Sequence, residues 1–293
     1  LFLCFFISAK GSGIGPVAVE PINDRYVLVT DKLENALLLV DIYVGETIGR
    51  RMMDTEANYE PDNSHTWVSV VGVATCPSCA YAWVSASADL YRIGFYRPLL
   101  SAVNDPKTLR HIMQSSSINT SKSNHNINFG YRMVAINHNG TVALVAEHEN
   151  GAVYRFDPRE EDPKLELLLS QRGATSVVFH IAKDRSIQGI VAGEEENIRI
   201  FDVLTGGIIS VVQVQASWGH GRYALINPHS NHMLYLTHPL QRGAFLMEIA
   251  GGNTSTIAGN RKFGSGWVDG VGFDAHFSRP HGMAMLPPPH KAV

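Results

Sequence analysis

The feature that most restricts the fold of this chain is an internal repeat of three short apolar strands joined by polar turns. The first copy comprises Pro16–Pro21, Tyr26–Asp31 and Ala36–Asp41. Short apolar runs bounded by polar turn residues predict β-strands. Later copies follow the same pattern and begin at Val68, Met133, Val177 and Tyr223. The copies therefore start roughly 45 to 60 residues apart, a period typical of a four-stranded propeller blade and too long for an ankyrin or leucine-rich unit.

These copies predict an all-β chain, a propeller with five blades that forms a single domain over residues 10–293. A blade cannot bury its faces alone, so the blades must stack around an axis, and a hydrophobic content of 45% is sufficient for such a core. The most helix-like stretch is 162–171, although its Leu165–Leu169 run fits an outer strand equally well. Two loops are longer than the rest, Met52–His65 and Ser115–Asn128. The second is rich in Ser and Asn, and we expect it to be mobile and exposed.

The first nine residues, Leu1–Ala9, have the apolarity of a secretory signal peptide and end in small residues. A buried β-strand is the alternative for this segment. A transmembrane helix is not expected, because Lys10 interrupts the run well short of the roughly 18 apolar residues that a span needs. Asn119, Asn139 and Asn253 each begin an N-glycosylation triplet. Together these features favour the secretory pathway over a cytoplasmic location, and glycan mass on those asparagines would test it.

Cys76 and Cys79 form a Cys-Pro-Ser-Cys motif within a chain that has three cysteines. The motif lies between two predicted strands and not in a βαβ unit, so a turn-closing disulfide or an inert pair is favoured over redox chemistry. A four-cysteine zinc site cannot be built, because there is no second pair.

Residues 258–285 carry a dense pattern of glycines with an aspartate, a phenylalanine and a proline. The matched positions are Gly259, Asn260, Asp269, Gly270, Gly272, Phe277, Pro280 and Gly282. This pattern resembles the segment between blades of NHL-repeat propellers. The resemblance implies that Phe277 packs between blades, and that Pro280 and Gly282 lead into the next inner strand.

Members of that family often have six blades. The resemblance therefore implies that Gly282–Leu286 opens a sixth blade that the chain does not complete, as a C-terminal truncation would produce. Family members also close the ring by pairing a strand from one terminus with the blade begun at the other. Residues 1–9 could supply that strand, so a ring-closing strand is the alternative to a signal peptide for this segment.

The formal charge of −3, from 24 basic and 27 acidic residues, produces no strong electrostatic field that would attract nucleic acid or an anionic membrane. Motifs of common enzyme classes are absent from the sequence: it has no phosphate-binding Gly-Lys-Ser/Thr loop, no Gly-x-Ser-x-Gly elbow and no His-Glu-x-x-His.

A divalent metal is the cofactor to consider, because related six-bladed propellers include metal-dependent lactonases and a zinc lyase that completes peptide amidation. Three histidines each precede a predicted inner strand, at the mouth of the central channel: His65, His220 and His281. Ordinary loop histidines are the alternative. Three carboxylates follow a second strand: Asp31, Glu147 and Glu194. Carboxylates in that position more often bond turn amides than a metal.

The sequence therefore favours a non-catalytic propeller that binds a protein or peptide partner. A metal-dependent hydrolase or lyase with its site at the channel mouth is the alternative, and a purely structural part of a larger protein is the third possibility.

Overall fold

The computed structural model describes residues 16–285 except for 33, 54–69, 77, 87–89, 103–104, 115–116, 122–130, 194, 196, 215–222, 227–229, 231, 239–240, 260–267, 269, 278–279 and 281. Within these residues the chain forms five four-stranded antiparallel sheets, each a simple meander. The sheets follow one another as the blades of a β-propeller, which confirms the predicted repeat.

The strands of blades 1 and 2 are β1 (Pro16–Pro21), β2 (Tyr26–Asp31), β3 (Ala36–Asp41), β4 (Glu46–Met52), β5 (Val70–Thr75), β6 (Tyr81–Ala86), β7 (Leu90–Gly94) and β8 (Ser117–Ser121). The strands of blades 3 to 5 are β9 (Tyr131–Ile136), β10 (Ala143–Glu147), β11 (Ala152–Phe156), β12 (Glu166–Ser170), β13 (Ala174–Ile181), β14 (Ile187–Gly193), β15 (Asn197–Asp202), β16 (Ile208–Gln213), β17 (Tyr223–Ile226), β18 (Met233–His238), β19 (Gly243–Glu248) and β20 (Thr254–Gly259). The first strand of each sheet lies next to the first strand of the following sheet.

The second strand of each blade is apolar on both faces because both faces are covered. In β2 every residue is buried. Tyr26 and Leu28 pack in one cluster with residues of blade 2, such as Val84. Val27 and Val29 point to the opposite face of the sheet, since side chains alternate along a strand, and they belong to a different cluster. Because the two faces belong to different clusters, the core is divided among the blade interfaces. Each fully buried aliphatic side chain of this kind stabilises the fold by about 1.5–3 kcal/mol.

Blade 2 contains an insertion between its third and fourth strands. It consists of a 3-10 turn, Leu99–Ala102, and the helix α1, Pro106–Gln114. The helix packs on β4, where the Arg110 Nε–H donates to the carbonyl oxygen of Ile48 at 2.7 Å. Its buried side chains, Leu109, Ile112 and Met113, join the core between blades 1 and 2.

The insertion corrects two expectations. No helix was predicted here, and residues 117–121, expected to be part of a mobile loop, instead form β8 as the outer strand of blade 2.

Residues 166–170 form β12, so the strand alternative for that stretch is right and the helix is wrong. No helix in the described part of the chain is long and apolar enough to cross a bilayer.

The chain after β20 returns toward blade 1. Gly259 has a φ of +87°, and a Cβ at this position would overlap the carbonyl oxygen of Arg242 and come within 2.8 Å of the ring of Phe277. Glycine is therefore required by both conformation and space. Phe277 is buried, and beyond it Ala284 packs in the cluster that contains Val27. The segment thus contacts the face of blade 1 that points away from blade 2.

Candidate binding site on the disulfide face

The two ends of the propeller are built from different turns. One end, called the disulfide face here, carries the turns between first and second strands: 22–25, 76–80, 137–142 and 182–186. The insertion of blade 2 connects strands at this same end. The other end, called the opposite face, carries the turns between second and third strands, such as 32–35 and 148–151.

A small pocket opens on the disulfide face between blades 1 and 2. Its volume is about 100 Å³. The lining combines the end of β1, the turn after β5 and the insertion of blade 2: Glu20, Pro21, Ile22, Thr75, Cys76, Cys79, Leu99 and Leu100. Among the described residues that line the pocket, Glu20 is the one ionisable side chain apart from the two bonded cysteines.

Glu20 is the polar centre of the pocket. The backbone N–H of Thr75 donates to Glu20 Oε1 at 3.4 Å, which is a long hydrogen bond. Burial raises the pKa of Glu20 to about 8, and the Thr75 amide opposes that shift only in part. The carboxyl is therefore predominantly neutral at pH 7, and it can both donate and accept a hydrogen bond.

The wall of the pocket beside Glu20 is a disulfide between Cys76 and Cys79. The Cys79 N–H donates to the carbonyl oxygen of Cys76 at 3.1 Å, which closes the turn between β5 and β6. Both cysteines are nearly covered, with 4% and 8% of their surface exposed.

Blade 3 supports this turn from the other side. Gly140 has a φ of +69°, and a Cβ there would lie 2.9 Å from Cys79 Sγ and 3.0 Å from Cys76 Sγ. The Tyr81 hydroxyl donates to the carbonyl oxygen of Gly140 at 3.1 Å. The disulfide is therefore held between blade 3 and the pocket.

The rim of the pocket is apolar and exposed. Leu100 exposes 39% of its surface, and Tyr96, in the same connection, exposes 53%. The Tyr96 ring centroid lies 5.3 Å from the Arg97 guanidinium and 5.7 Å from the centroid of the His111 ring. Exposed aromatic and aliphatic side chains in one connection are typical of a recognition surface.

The alternative of a metal site would have its ligands on the opposite face. Its candidate ligands His65, His220 and His281 lie outside the described residues, as does Glu194. Among the residues that the structure describes, no group of three or more His, Cys, Asp or Glu could hold a metal ion.

The other carboxylates of that face bond turn amides. Asp31 Oδ1 accepts the N–H of Glu34 at 3.2 Å, and Glu147 Oε1 accepts the N–H of Asn150 at 3.0 Å. In blade 5 the equivalent residue is His238. Its Nδ1 accepts the N–H of Gln241 at 3.1 Å. These side chains are buried and end their second strands by capping the turn that follows.

The remaining predicted positions are distributed over the surface and the C-terminal segment. Asn119 lies on β8, while Asn139 and Asn253 are exposed in turns, so their glycosylation stays a prediction. Within the segment that resembles the NHL repeat, Gly259, Gly270, Gly272, Phe277, Pro280 and Gly282 are described, whereas Asn260 and Asp269 are not. Residues 1–9 also lie outside the described part.

Sequence reasoning did not single out Glu20. The signal that was present is a glutamate at the end of the apolar run of an inner strand, directly before Pro21.

No protein-family model matches the sequence, and neither does any of the curated proteins. Among solved structures, hydrazine synthase from Kuenenia stuttgartiensis is similar, with a TM-score of 0.56 and 12% identity. The match covers 85% of this chain and 69% of that chain. At this identity the likeness shows the fold alone, and it agrees with a β-propeller.

Proposed function

We propose that this chain is a binding propeller that recognises a protein or peptide partner through its disulfide face. The observation that carries the proposal is the pocket beside Glu20, which has the exposed Leu100 in its lining and the exposed Tyr96 in the same connection between strands. At about 100 Å³ the cavity is far smaller than the roughly 300–1,000 Å³ that enclose a whole small-molecule ligand. A cavity of this size accommodates one side chain of a partner whose remaining contacts lie on the rim.

The chemistry of the pocket specifies the kind of side chain. Leu99, Leu100 and Ile22 provide an apolar wall, and the neutral Glu20 carboxyl can donate one hydrogen bond and accept others. A partner side chain with an apolar stem and an uncharged polar end would pack on the apolar wall and form a hydrogen bond with the carboxyl. Such a buried anchor surrounded by a rim is the usual arrangement of an interaction hot spot.

The proposal is tested by selecting peptides from a random-peptide phage library against the folded chain and measuring their affinity for variants. Leu100→Glu introduces a charge at the rim, and we expect it to weaken the selected peptides about tenfold or more, because losing an anchor contact costs over 1.4 kcal/mol. Leu204→Glu is the matched control, since Leu204 is an exposed leucine in the turn 203–207 at the same end. Equal affinity for both variants, or no enrichment of peptides, would refute the proposal.

We further propose that the propeller is of the NHL type and has six blades. Support comes from the positive φ of Gly259 and Gly272 and from the burial of Phe277. Ala284 covers the face of blade 1 that points away from blade 2. That is the location which the inner strand of a further blade would occupy in a closed ring.

A further inference from the structure

The Cys76–Cys79 disulfide belongs to the apolar cluster between blades 2 and 3, yet both cysteines also line the pocket that contains Glu20. We propose that this pair is a thiol–disulfide exchange site that reacts with an external dithiol, and that the Glu20 carboxyl is its acid–base group. The inference does not depend on peptide recognition, and the two are tested by different variants and readouts.

Access and support both favour attack from the pocket. Gly140 of blade 3 lies against the two sulfurs on one side, and the pocket opens toward both cysteines, so we expect an incoming thiol to approach from the pocket. The Ser78 hydroxyl lies 3.8 Å from Cys76 Sγ and can donate to it. Stabilisation of a thiolate at Cys76 makes this sulfur the leaving group, and it makes Cys79 Sγ the sulfur that is attacked.

The exchange balances with the dithiol as reductant. One thiolate of the reagent attacks Cys79 Sγ, the S–S bond breaks, and its electron pair goes to Cys76 Sγ, which takes the proton of the Glu20 carboxylic acid. The second thiol of the reagent then displaces Cys79 from the mixed disulfide. The proton of the second thiol ends on Cys79, so the products are two cysteine thiols and the oxidised reagent, and Glu20 regains from solvent the proton that the first thiol of the reagent had released.

Glu20 suits this role because it retains its proton in the range where thiols react. Burial is the main cause, and the Thr75 amide opposes it. Of the groups that face Glu20 from β1, from the turn after β5 and from the insertion, none of the described ones carries a charge. A carboxyl with a pKa near the working pH is an effective general acid.

The test measures the rate of reduction of the folded full chain by dithiothreitol between pH 6 and 9.5. Samples are quenched with acid, and free thiols are labelled with a maleimide and counted by mass. All samples carry Cys4→Ser, which removes the third cysteine of the sequence, so that the label counts Cys76 and Cys79 alone. Each rate is divided by the thiolate fraction of the reagent, so that the remaining pH dependence comes from groups of the protein.

For the unmodified chain we expect the corrected rate to fall about tenfold as pH rises through 8, a modest effect for a general acid because thiolates leave readily. Glu20→Gln should give a rate that does not change with pH and is about tenfold lower at pH 7. Glu160→Gln is the matched control, because Glu160 is an exposed carboxylate in the turn after β11 at the same end, and it should react like the parent. Leu100→Trp narrows the mouth of the pocket and should slow the reaction at every pH.

Two outcomes would overturn the inference. The first is reduction that occurs only when the protein unfolds, seen as a rate that follows the urea-induced loss of Trp fluorescence. The second is a pH profile that is unchanged in Glu20→Gln. If Glu20→Gln does not fold, a flat profile in the parent chain refutes the inference without that variant.

Discussion

The raised pKa of Glu20 predicts that this propeller loses stability as the pH rises from about 5 to about 8. The folded protein holds the Glu20 proton up to about pH 8, whereas the unfolded chain releases it near the usual value of 4.5. Between these values the unfolded state binds fewer protons, so each pH unit lowers the free energy of unfolding by at most about 1.4 kcal/mol. The limit over the whole interval is about 5 kcal/mol.

Between pH 5 and pH 9 a folded-state pKa of about 8 for Glu20 corresponds to about 3–4 kcal/mol of this limit, since the carboxyl is partly exposed at an open pocket where water can solvate the carboxylate. Other groups titrate in the same range. His180 in particular has a pKa lowered by burial and by the nearby His232, which makes its own contribution increase as the pH rises toward 6.5. The difference between Glu20→Gln and the parent chain cancels those contributions.

The assay is urea unfolding followed by Trp fluorescence at a series of pH values from 5 to 9, with Trp83 as a buried reporter. Relative to the parent, Glu20→Gln should gain about 3–4 kcal/mol between pH 5 and pH 9, with most of the change below pH 8. The gain should then level off. A difference between variant and parent that does not vary with pH would mean that Glu20 titrates normally, and the argument from burial would be wrong.

Two further substitutions probe the disulfide turn and the C-terminal segment. Gly140→Ala should lower the free energy of unfolding by about 2–3 kcal/mol, whereas the control Gly45→Ala should lower it by about 1 kcal/mol. Both glycines have a positive φ, but only the methyl group added at position 140 would crowd the disulfide. Equal melting temperatures for the two variants would contradict this. Ala284→Asp places an unpaired charge against the apolar face of blade 1 and should cost about 2–4 kcal/mol in urea unfolding. An unchanged midpoint would mean that the segment does not cover that face.

The sequence was sufficient to predict the first three strands of every blade because these strands are apolar and end at polar turns. Those of blade 3, at 131–136, 143–147 and 152–156, all fall where the apolar runs predict them. The fourth strands were harder to predict, since they form the outer edge and half of their residues face solvent. In β16, for example, Ile208, Ile209 and Val211 are exposed, so burial does not impose an alternating pattern.

The helix α1 and the Glu20 site were missed for different physical reasons. The helix is nine residues long, too short for a periodic signal, although Asp105 before Pro106 is a recognisable start. Its hydrogen bonds to Asp105 come from the N–H of Lys107 at 3.0 Å and from the hydroxyl of Thr108. Glu20 could not be predicted because its burial depends on blade 2, which lies about fifty residues further along the chain. Only the folded arrangement brings Thr75 and Leu99 around it.

The two ends of the propeller therefore use their polar groups differently. On the opposite face, Asp31, Glu147 and His238 occupy equivalent positions, and each accepts the backbone N–H three residues later. Because two carboxylates and an imidazole do the same task, that position needs an acceptor atom and not a charge, and these acceptors are committed to the turns. On the disulfide face Glu20 accepts one long hydrogen bond among the described contacts and faces a cavity beside a reactive bond. A partner or reagent can therefore compete for Glu20 without breaking a turn, which is why we assign the chemistry of this propeller to that end.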